Sequence, residues 1–318
     1  MSEAGTEDSP PVFVVAVHRS GTTLLGNMLR GHPQLAFLGE FEYAVDFYAD
    51  GAWPDPARLR DRLETDRRYR AQEFHVDPAL GGRALMDDFL AQTRRRQGDK
   101  PRVGATFHRH FDRVAALWPE ARLVHLVRDS RDVATSRIGM GWAGNAYSSA
   151  PAWRELEALW DRVAPGVADR AYELRYEDLV TSPEATLRPL CDFLGLDWEP
   201  EALLSYPSRS RYGPPDAGLA EQWRRKLAPR ELALLEHAIG PMLRARGYPE
   251  SGVPARAPGV LERAWLRVHD RWVRERFRIR RFGLPLLLAS ALANRTGPES
   301  LRRRLQQRID AIITSQLR

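Results

Sequence analysis

Residues 12–24 read Val12-Phe-Val-Val-Ala-Val-His18-Arg-Ser-Gly21-Thr-Thr-Leu24, and this stretch decides the fold. Pro11 to Val17 is a short apolar run rich in β-branched residues, the pattern of a strand buried on both faces of a parallel sheet. After it, Leu24, Leu25, Met28 and Leu29 recur at helical spacing until Gly31 and Pro33 end the pattern. The segment therefore predicts strand, glycine-containing turn, helix. A helix N-terminus presents amide N–H groups with no intrahelical partner and the positive end of the helix dipole, so such a turn suits an anion. Gly21 stands where backbone must approach a ligand, Thr22 and Thr23 supply hydroxyl donors, and Arg19 supplies a permanent cation. It is not a full Walker A loop. Ala16 stands at its first glycine, and Arg19-Ser-Gly-Thr replaces Gly-Lys-Ser/Thr. Taken alone, the turn could also be only a tight connection, the lesser of the two readings.

A second strand–turn–helix shifts that balance toward a phosphate site. Arg122 to Val127 is an apolar strand, preceded by a helix that stops near Trp118-Pro119 and followed by Arg128-Asp-Ser-Arg-Asp. Ser136 lies eight residues beyond Arg128, two turns along the next helix. Arginine offers a fork matched to phosphate oxygens and serine a neutral donor on the same side. Two anion sites at two strand ends suit a nucleotide phosphorylated at both ends of its ribose. No acid lies in the Arg19–Thr23 loop to hold a metal, and Asp129 reads as an ion-pair partner of Arg128 and Arg131. Further along, helices are expected over Ala84–Arg96, Trp153–Val163 and Pro183–Leu194, with a third strand from Ala171 to Tyr176. Strands alternating with helices give an α/β fold with a central, mostly parallel sheet flanked by helices.

Composition limits the rest. The 318 residues suffice for a core without staples, and the single cysteine, Cys191, excludes an internal disulfide framework. The net charge of +6 conceals an asymmetry: residues 251–318 hold 15 arginines against 5 acids, leaving 33 bases and 37 acids in the first 250. A uniform nucleic-acid-binding surface is therefore not expected. The acidic N-terminus lacks the features of a signal peptide, and the longest apolar run, Leu284–Ala293, is about half a membrane crossing. These features predict a cytoplasmic protein with a flexible segment 1–10, a main domain 11–250 and an Arg-rich helical extension 251–318. In the extension, Leu261, Trp265, Val268 and Trp272 share one helical face. That face either docks on the body or meets a partner or the inner face of a membrane.

The motifs resemble those of the sulfotransferases that use 3′-phosphoadenosine 5′-phosphosulfate (PAPS), in particular the tyrosylprotein and carbohydrate type, in a bacterial form. Val14-Val-Ala-Val-His-Arg-Ser-Gly-Thr-Thr-Leu-Leu is similar to their 5′-phosphosulfate loop and Leu126-Val-Arg-Asp-Ser-Arg-Asp-Val-Ala-Thr-Ser to their 3′-phosphate motif, the two arginines standing 109 residues apart. Leu174-Arg-Tyr-Glu-Asp-Leu and Trp223-Arg-Arg-Lys-Leu resemble later segments, so the likeness covers roughly residues 12–250. The resemblance implies a P-loop-like sandwich and metal-free transfer of sulfonate to a hydroxyl, with adenosine 3′,5′-bisphosphate as product. It implies that Arg19, Ser20, Gly21, Thr22, Thr23 and Leu24 hold the 5′ end, with Arg19 facing the departing charge. Arg128 and Ser136 would bind the 3′-phosphate, with Ser210 and one of Arg224, Arg225 and Lys226 capping it. Tyr176 either contacts the adenine region or is core. For the base, Glu40 falls where the tyrosylprotein type places its glutamate, with Glu42 a near neighbour. His108 or His110 is the rival, while His125, inside a strand, reads as core. Trp53, Trp142 and Tyr147 could stack on an acceptor or pack. The acceptor is expected to be a small molecule, glycoside or lipid-linked sugar. Two other readings stay open: an ATP-dependent kinase with a degenerate loop, and a non-catalytic binding protein.

Overall fold

A computed structural model describes residues 9–317 of the chain, with side chains to residue 313. The acidic start, residues 1–8, lies outside the described residues. The chain divides into two compact units. One reaches to Asp129 and resumes over Ala152–Gln222, while the other comprises Ser130–Pro151 and the chain from Trp223 onward.

The first unit contains the sheet. β1 (Val12–Val15) leads through residues 16–21 into α1 (Thr22–Gly31), as the opening stretch predicts. β2 (Leu35–Glu40), α2 (Gly82–Arg96), β3 (Arg102–Phe107) and α3 (Phe111–Leu117) follow, then β4 (Arg122–Val127). After α4 (Ser130–Gly139), which belongs to the second unit, and α5 (Ala146–Val163), whose residues from Ala152 on belong to the first, come β5 (Ala171–Arg175), α6 (Tyr176–Thr181) and α7 (Pro183–Leu194). The five strands pair in parallel in the order β2-β3-β1-β4-β5. Alternate residues of β1 enter opposite cores. Phe13 and Val15 pack with Phe107, Trp118 and Phe41 on one face, while Val12 and Val14 pack with Leu25, Met28 and Phe37 on the other. Burial on both faces is what the unbroken apolar run required.

Two strands, β2 and β3, carry no clear signal in the sequence. β3 contains Gly104, a residue that weakens strand propensity. The glycine is there for space, because a Cβ would sit 2.7 Å from the Val12 carbonyl oxygen and 2.9 Å from the Phe37 ring. β2 begins two residues after Pro33 and carries Gly39 at φ 96°, with a register shift between Phe37 and Glu40. Tyr176 opens α6 rather than ending β5. α5 starts at Ala146, well before Trp153, because the Asn145 Oδ1 accepts from the Ser148 amide at 2.9 Å and caps it.

The second unit carries α8 (Trp223–Lys226), α9 (Pro229–Ile239) and the extension, α10 (Val260–Phe282), α11 (Leu284–Thr296) and α12 (Glu299–Leu317). Of α10, Leu266 is buried, whereas Leu261, Trp265, Val268 and Trp272 are exposed. No described helix is long and apolar enough to cross a membrane.

Candidate active site

In a parallel sheet every strand ends at the same edge, and loops there converge on a ligand. Each of the five strands delivers a candidate residue to that edge: Arg19 to Thr22 after β1, Glu40 at the end of β2, His108 after β3, Arg128 after β4 and Tyr176 after β5.

The turn after β1 is held open by its own backbone. Arg19 has φ 76° and Gly21 φ 99°, the left-handed region in which only glycine is free of strain. A Cβ on Gly21 would also lie 2.2 Å from Cδ2 of Tyr176. The helix behind this turn starts at Thr22 with no side-chain cap on Gly21. Ser20 is fully buried, and its hydroxyl has no hydrogen-bond partner among the described residues. An orphaned buried hydroxyl at an uncapped helix start is what a bound phosphate or sulfonate oxygen would satisfy. Thr23 is exposed and Leu24 buried in the core behind the loop.

Arg128 joins the two motifs. Its Nη1 donates to the Arg19 carbonyl at 3.1 Å, its Nη2 to the Leu219 carbonyl at 3.0 Å, and its guanidinium lies 4.1 Å from the Tyr176 ring centre. Tyr176 is buried, with one part of its ring against Gly21 and its face under Arg128. Burial lowers the Arg19 pKa and the neighbouring Arg128 adds to the fall, while Tyr212, Tyr176 and Glu40 oppose it. Arginine nevertheless stays charged. Two cations placed together beside an uncapped helix start are an arrangement that a polyanion would neutralise.

Glu40 and Glu42, two residues apart, occupy opposite environments. Glu40 is exposed at the end of β2 and close enough to Arg19 to act on its charge. Glu42 is fully buried, where it accepts from Arg68 Nη1 at 2.9 Å and from His108 Nδ1 at 2.5 Å. Burial alone would raise its pKa, but the His108 hydrogen bond and the charges of His108 and Arg68 bring it down to about 2. With the carboxylate ionised, Nδ1 of His108 carries the proton it shares with Glu42. Nε2 then meets the Thr22 hydroxyl at 3.0 Å, and His18 stacks on the ring at 4.0 Å. The arrangement ties β2 and β3 to the first residue of α1. His18, Glu42 and His108 also offer ligand atoms within 4.8 Å of one another, but both nitrogens of His108 are engaged in these hydrogen bonds.

The other candidates are placed as follows. His110 is half-buried in the left-handed region at φ 56°, and its Nε2 lies 3.9 Å from Asp46; burial, then Arg113, lowers its pKa. His125 is buried in β4, stacked on Trp160 at 4.5 Å, between Glu173 and Glu157. Ser210 is half-buried and its Oγ accepts from the Tyr212 amide at 3.2 Å. Trp53 packs on Tyr48 and donates to the Ala44 carbonyl, which is a packing role. In the second unit Ser136 and Tyr147 are half-buried, whereas Arg224, Arg225, Lys226 and Trp142 are exposed.

Sequence reasoning missed the parts that brace these residues. In the second unit, Arg131 is buried, pairs with Glu236 at 2.8 Å and lies 3.7 Å from the Trp223 ring centre, on which Arg224 also lies at 4.3 Å. Asp132 Oδ1 accepts from the Trp223 amide at 2.8 Å and fixes the start of α8. Arg68, which holds Glu42, Asp46 and Asp66, stands in a charged stretch with nothing in its spacing to mark it.

The geometry defines the class: an α/β protein with two arginine-bearing loops at the carboxyl edge of a parallel sheet. Residues 10–200 match the family model described as the sulfotransferase family, and the chain belongs to that family. A protein of Aquifex aeolicus described as uncharacterized is 26% identical over 234 residues, covering 64% of this chain and 28% of its own length. Protein-tyrosine sulfotransferase 1 of Danio rerio is 26% identical over 211 residues, 62% of this chain and 56% of that protein. The chain thus spans about half or less of these relatives. Among solved structures, the sulfotransferase domain of the Synechococcus PCC 7002 olefin synthase superposes with a TM-score of 0.54 at 24% identity, over 76% of this chain and 95% of that one. The sulfotransferase domain from the curacin biosynthetic pathway gives 0.51 at 18% identity, over 76% and 98%. Both share the fold.

Proposed function

We propose that this chain transfers the sulfonate group of PAPS to a hydroxyl on an acceptor, releasing adenosine 3′,5′-bisphosphate. One observation carries the reading: in a chain of the sulfotransferase family, Arg128 hydrogen-bonds the backbone of the Arg19 turn, so two basic loops converge beside an exposed carboxylate, Glu40. The amides at the start of α1, the Ser20 hydroxyl and Arg19 hold the sulfonate end. Arg128 takes the 3′-phosphate, and Tyr176, packed under it, borders the nucleoside. Ser136, Ser210, Arg224 and Lys226 enter through the motif resemblance alone.

In the transfer, Glu40 accepts the proton of the acceptor hydroxyl as its oxygen bonds to sulfur. The bond from sulfur to the 5′-phosphate oxygen breaks, and Arg19 with the turn amides receives the charge left on that oxygen. No redox partner is needed. His108 braces Thr22 rather than meeting the acceptor, because its two nitrogens are occupied by Glu42 and Thr22. The acceptor reading is a small molecule, glycoside or lipid-linked sugar.

Calorimetric titration with adenosine 3′,5′-bisphosphate tests the donor. Binding is expected for the wild type, with at least about a tenfold loss in Arg128→Ala, since charged hydrogen bonds are worth about 1.5–3 kcal/mol. Glu40→Gln should keep that affinity and lower turnover of ³⁵S-labelled PAPS by about 10²–10⁴-fold. A protein that ignores the bisphosphate but binds Mg²⁺-ATP is the kinase instead. Bisphosphate binding with no turnover above background, unchanged in Glu40→Gln, marks a binding protein.

A further inference from the structure

The exposed face of α10 is a feature that the proposed chemistry leaves unused. Leu261, Trp265, Val268, Trp272 and Ile279 are 42–86% exposed. At 100° per residue they fall within one narrow stripe of the helix. Apolar side chains this large are not left in water along a whole helix face without a partner. The opposite face is already used within the same unit. Leu266 is buried and its carbonyl accepts from Asn145 Nδ2 at 3.0 Å, Asp270 Oδ1 accepts from the Gly144 amide at 2.6 Å, and Phe277 packs on Gly141. The stripe is therefore held outward by the way α10 is seated.

Charge selects the occupant. Arg271 and Arg278 border the stripe on one side and Arg276 and Arg280 on the other, within a segment carrying 15 arginines and 5 acids. The Arg276 guanidinium lies 5.3 Å from the Trp272 ring centre, so the stripe carries a cation against its indole at the level where a phosphate would sit. On α11, Leu284, Leu288 and Leu292 are exposed at successive four-residue steps. A second copy of this chain is the rival occupant, because positions 261, 265, 268 and 272 follow the 4-3-4 spacing of a coiled-coil seam. Continuing that seam sets the flanking arginines of one copy against those of the other, whereas Glu275, on the same face, is already paired with Arg278 at 2.8 Å and does not discriminate between the occupants. Phospholipid headgroups of negative charge meet the same arginines favourably, and tryptophan beside leucine suits the headgroup–acyl boundary.

We infer that α10, with α11 beside it, is an interfacial segment that seats this protein on anionic phospholipid, its apolar stripe lying in the membrane plane. No described helix is long and apolar enough to cross a bilayer, and the stripe runs along α10, so this segment would lie on the surface. The inference stands apart from the sulfonate chemistry, and its test is separable from that of the donor site.

Full-length protein is sedimented with vesicles of pure phosphatidylcholine and with vesicles holding about 30 mol% phosphatidylglycerol. At least about tenfold more protein should pellet with the anionic vesicles, falling steeply between about 50 mM and about 500 mM salt. Trp265→Ser with Trp272→Ser should cut retention about tenfold, since it removes the apolar anchor. Both side chains are exposed, so this variant should keep its melting temperature and its affinity for adenosine 3′,5′-bisphosphate. If it folds poorly, Arg271→Glu with Arg278→Glu serves, and should lose anionic-vesicle binding equally. Equal retention on both vesicle types, no retention on either, or retention unaffected by both variants overturns the inference. So does a concentration-dependent dimer in analytical ultracentrifugation that the tryptophan variant abolishes while lipid retention is absent, which would make the stripe a self-association surface.

Discussion

Gly21 carries two demands at one Cα. Its φ of 99° is costly for any other residue, and Tyr176 occupies the space a Cβ would need. The two can be separated. Gly21→Ala should lose roughly 1–3 kcal/mol of stability from strain and overlap together, and weaken bisphosphate binding at least about tenfold by distorting the turn. Adding Tyr176→Ala removes the overlap but not the dihedral. Thermal melts should therefore show the double variant recovering part of the loss that the two single changes would sum to. Strict additivity would mean that the ring and the glycine do not meet. At the same scale, Glu40 and Glu42 show how far sequence reading reaches. Both stood as carboxylates near the right place, and only the buried network of Arg68 and His108 separates the ion-paired one from the exposed one. Nothing local in the sequence marks Arg68 as their partner, because it is brought there by the fold.

At the scale of elements, β4 is tied to its neighbours through a buried charge. His125 lies between Glu173 of β5, 3.0 Å from its Nδ1, and Glu157 of α5, 3.4 Å from its Nε2. Burial pushes the imidazole pKa down, but the two carboxylates outweigh it and the net shift is upward from 6.5. A folded-state pKa above the unfolded one gives stability that is fully present below the unfolded value and is lost as pH rises through the folded one. His125→Gln should therefore be destabilised by roughly 3 kcal/mol near pH 6, where it strands a buried carboxylate. The gap to wild type should narrow as pH rises above 6.5 through the raised folded-state value in urea titrations. A gap that widens with pH would refute the paired, protonated state. Elements also divide by legibility. β1 and β4 could be read because apolar runs label strands buried on both faces, and β5 because Tyr172 and Leu174 alternate with Glu173 and Arg175 in an edge strand. β2 and β3 could not, since Gly39 serves a bulge-like irregularity and Gly104 makes room for Phe37. Periodicity likewise found an apolar stripe on α10, but it could not tell which of two faces a neighbour covers. Leu266, Asp270 and Phe277 hold the helix by the other.

Across the whole molecule, the candidate site is assembled from the ends of all five strands, although the first 250 residues carry more acids than bases. The positive charge of Arg19 and Arg128, which the proposed function gives to a polyanion, is thus local to one edge of the sheet, and so is the response expected when one binds. Ligand at 100 times its dissociation constant stabilises the fold by about 2.7 kcal/mol, which slows exchange by about 100-fold at every amide that exchanges only through global unfolding. That uniform slowing says nothing about position. Amides that exchange by local opening do, because they gain protection only where ligand or a loop ordered by it covers them. Adenosine 3′,5′-bisphosphate should therefore add protection at residues 18–23, 128–129 and 176–178, with a smaller gain at 40–42 and 108–110, which brace the site without touching the bisphosphate. The amino-terminal edge, where Arg102 and Arg122 donate their amides to Gln34 and Pro11, should show only the global factor. Extra protection spread equally over both edges, or confined to the Arg19 turn with none at Arg128, would mean that the two basic loops do not hold one ligand.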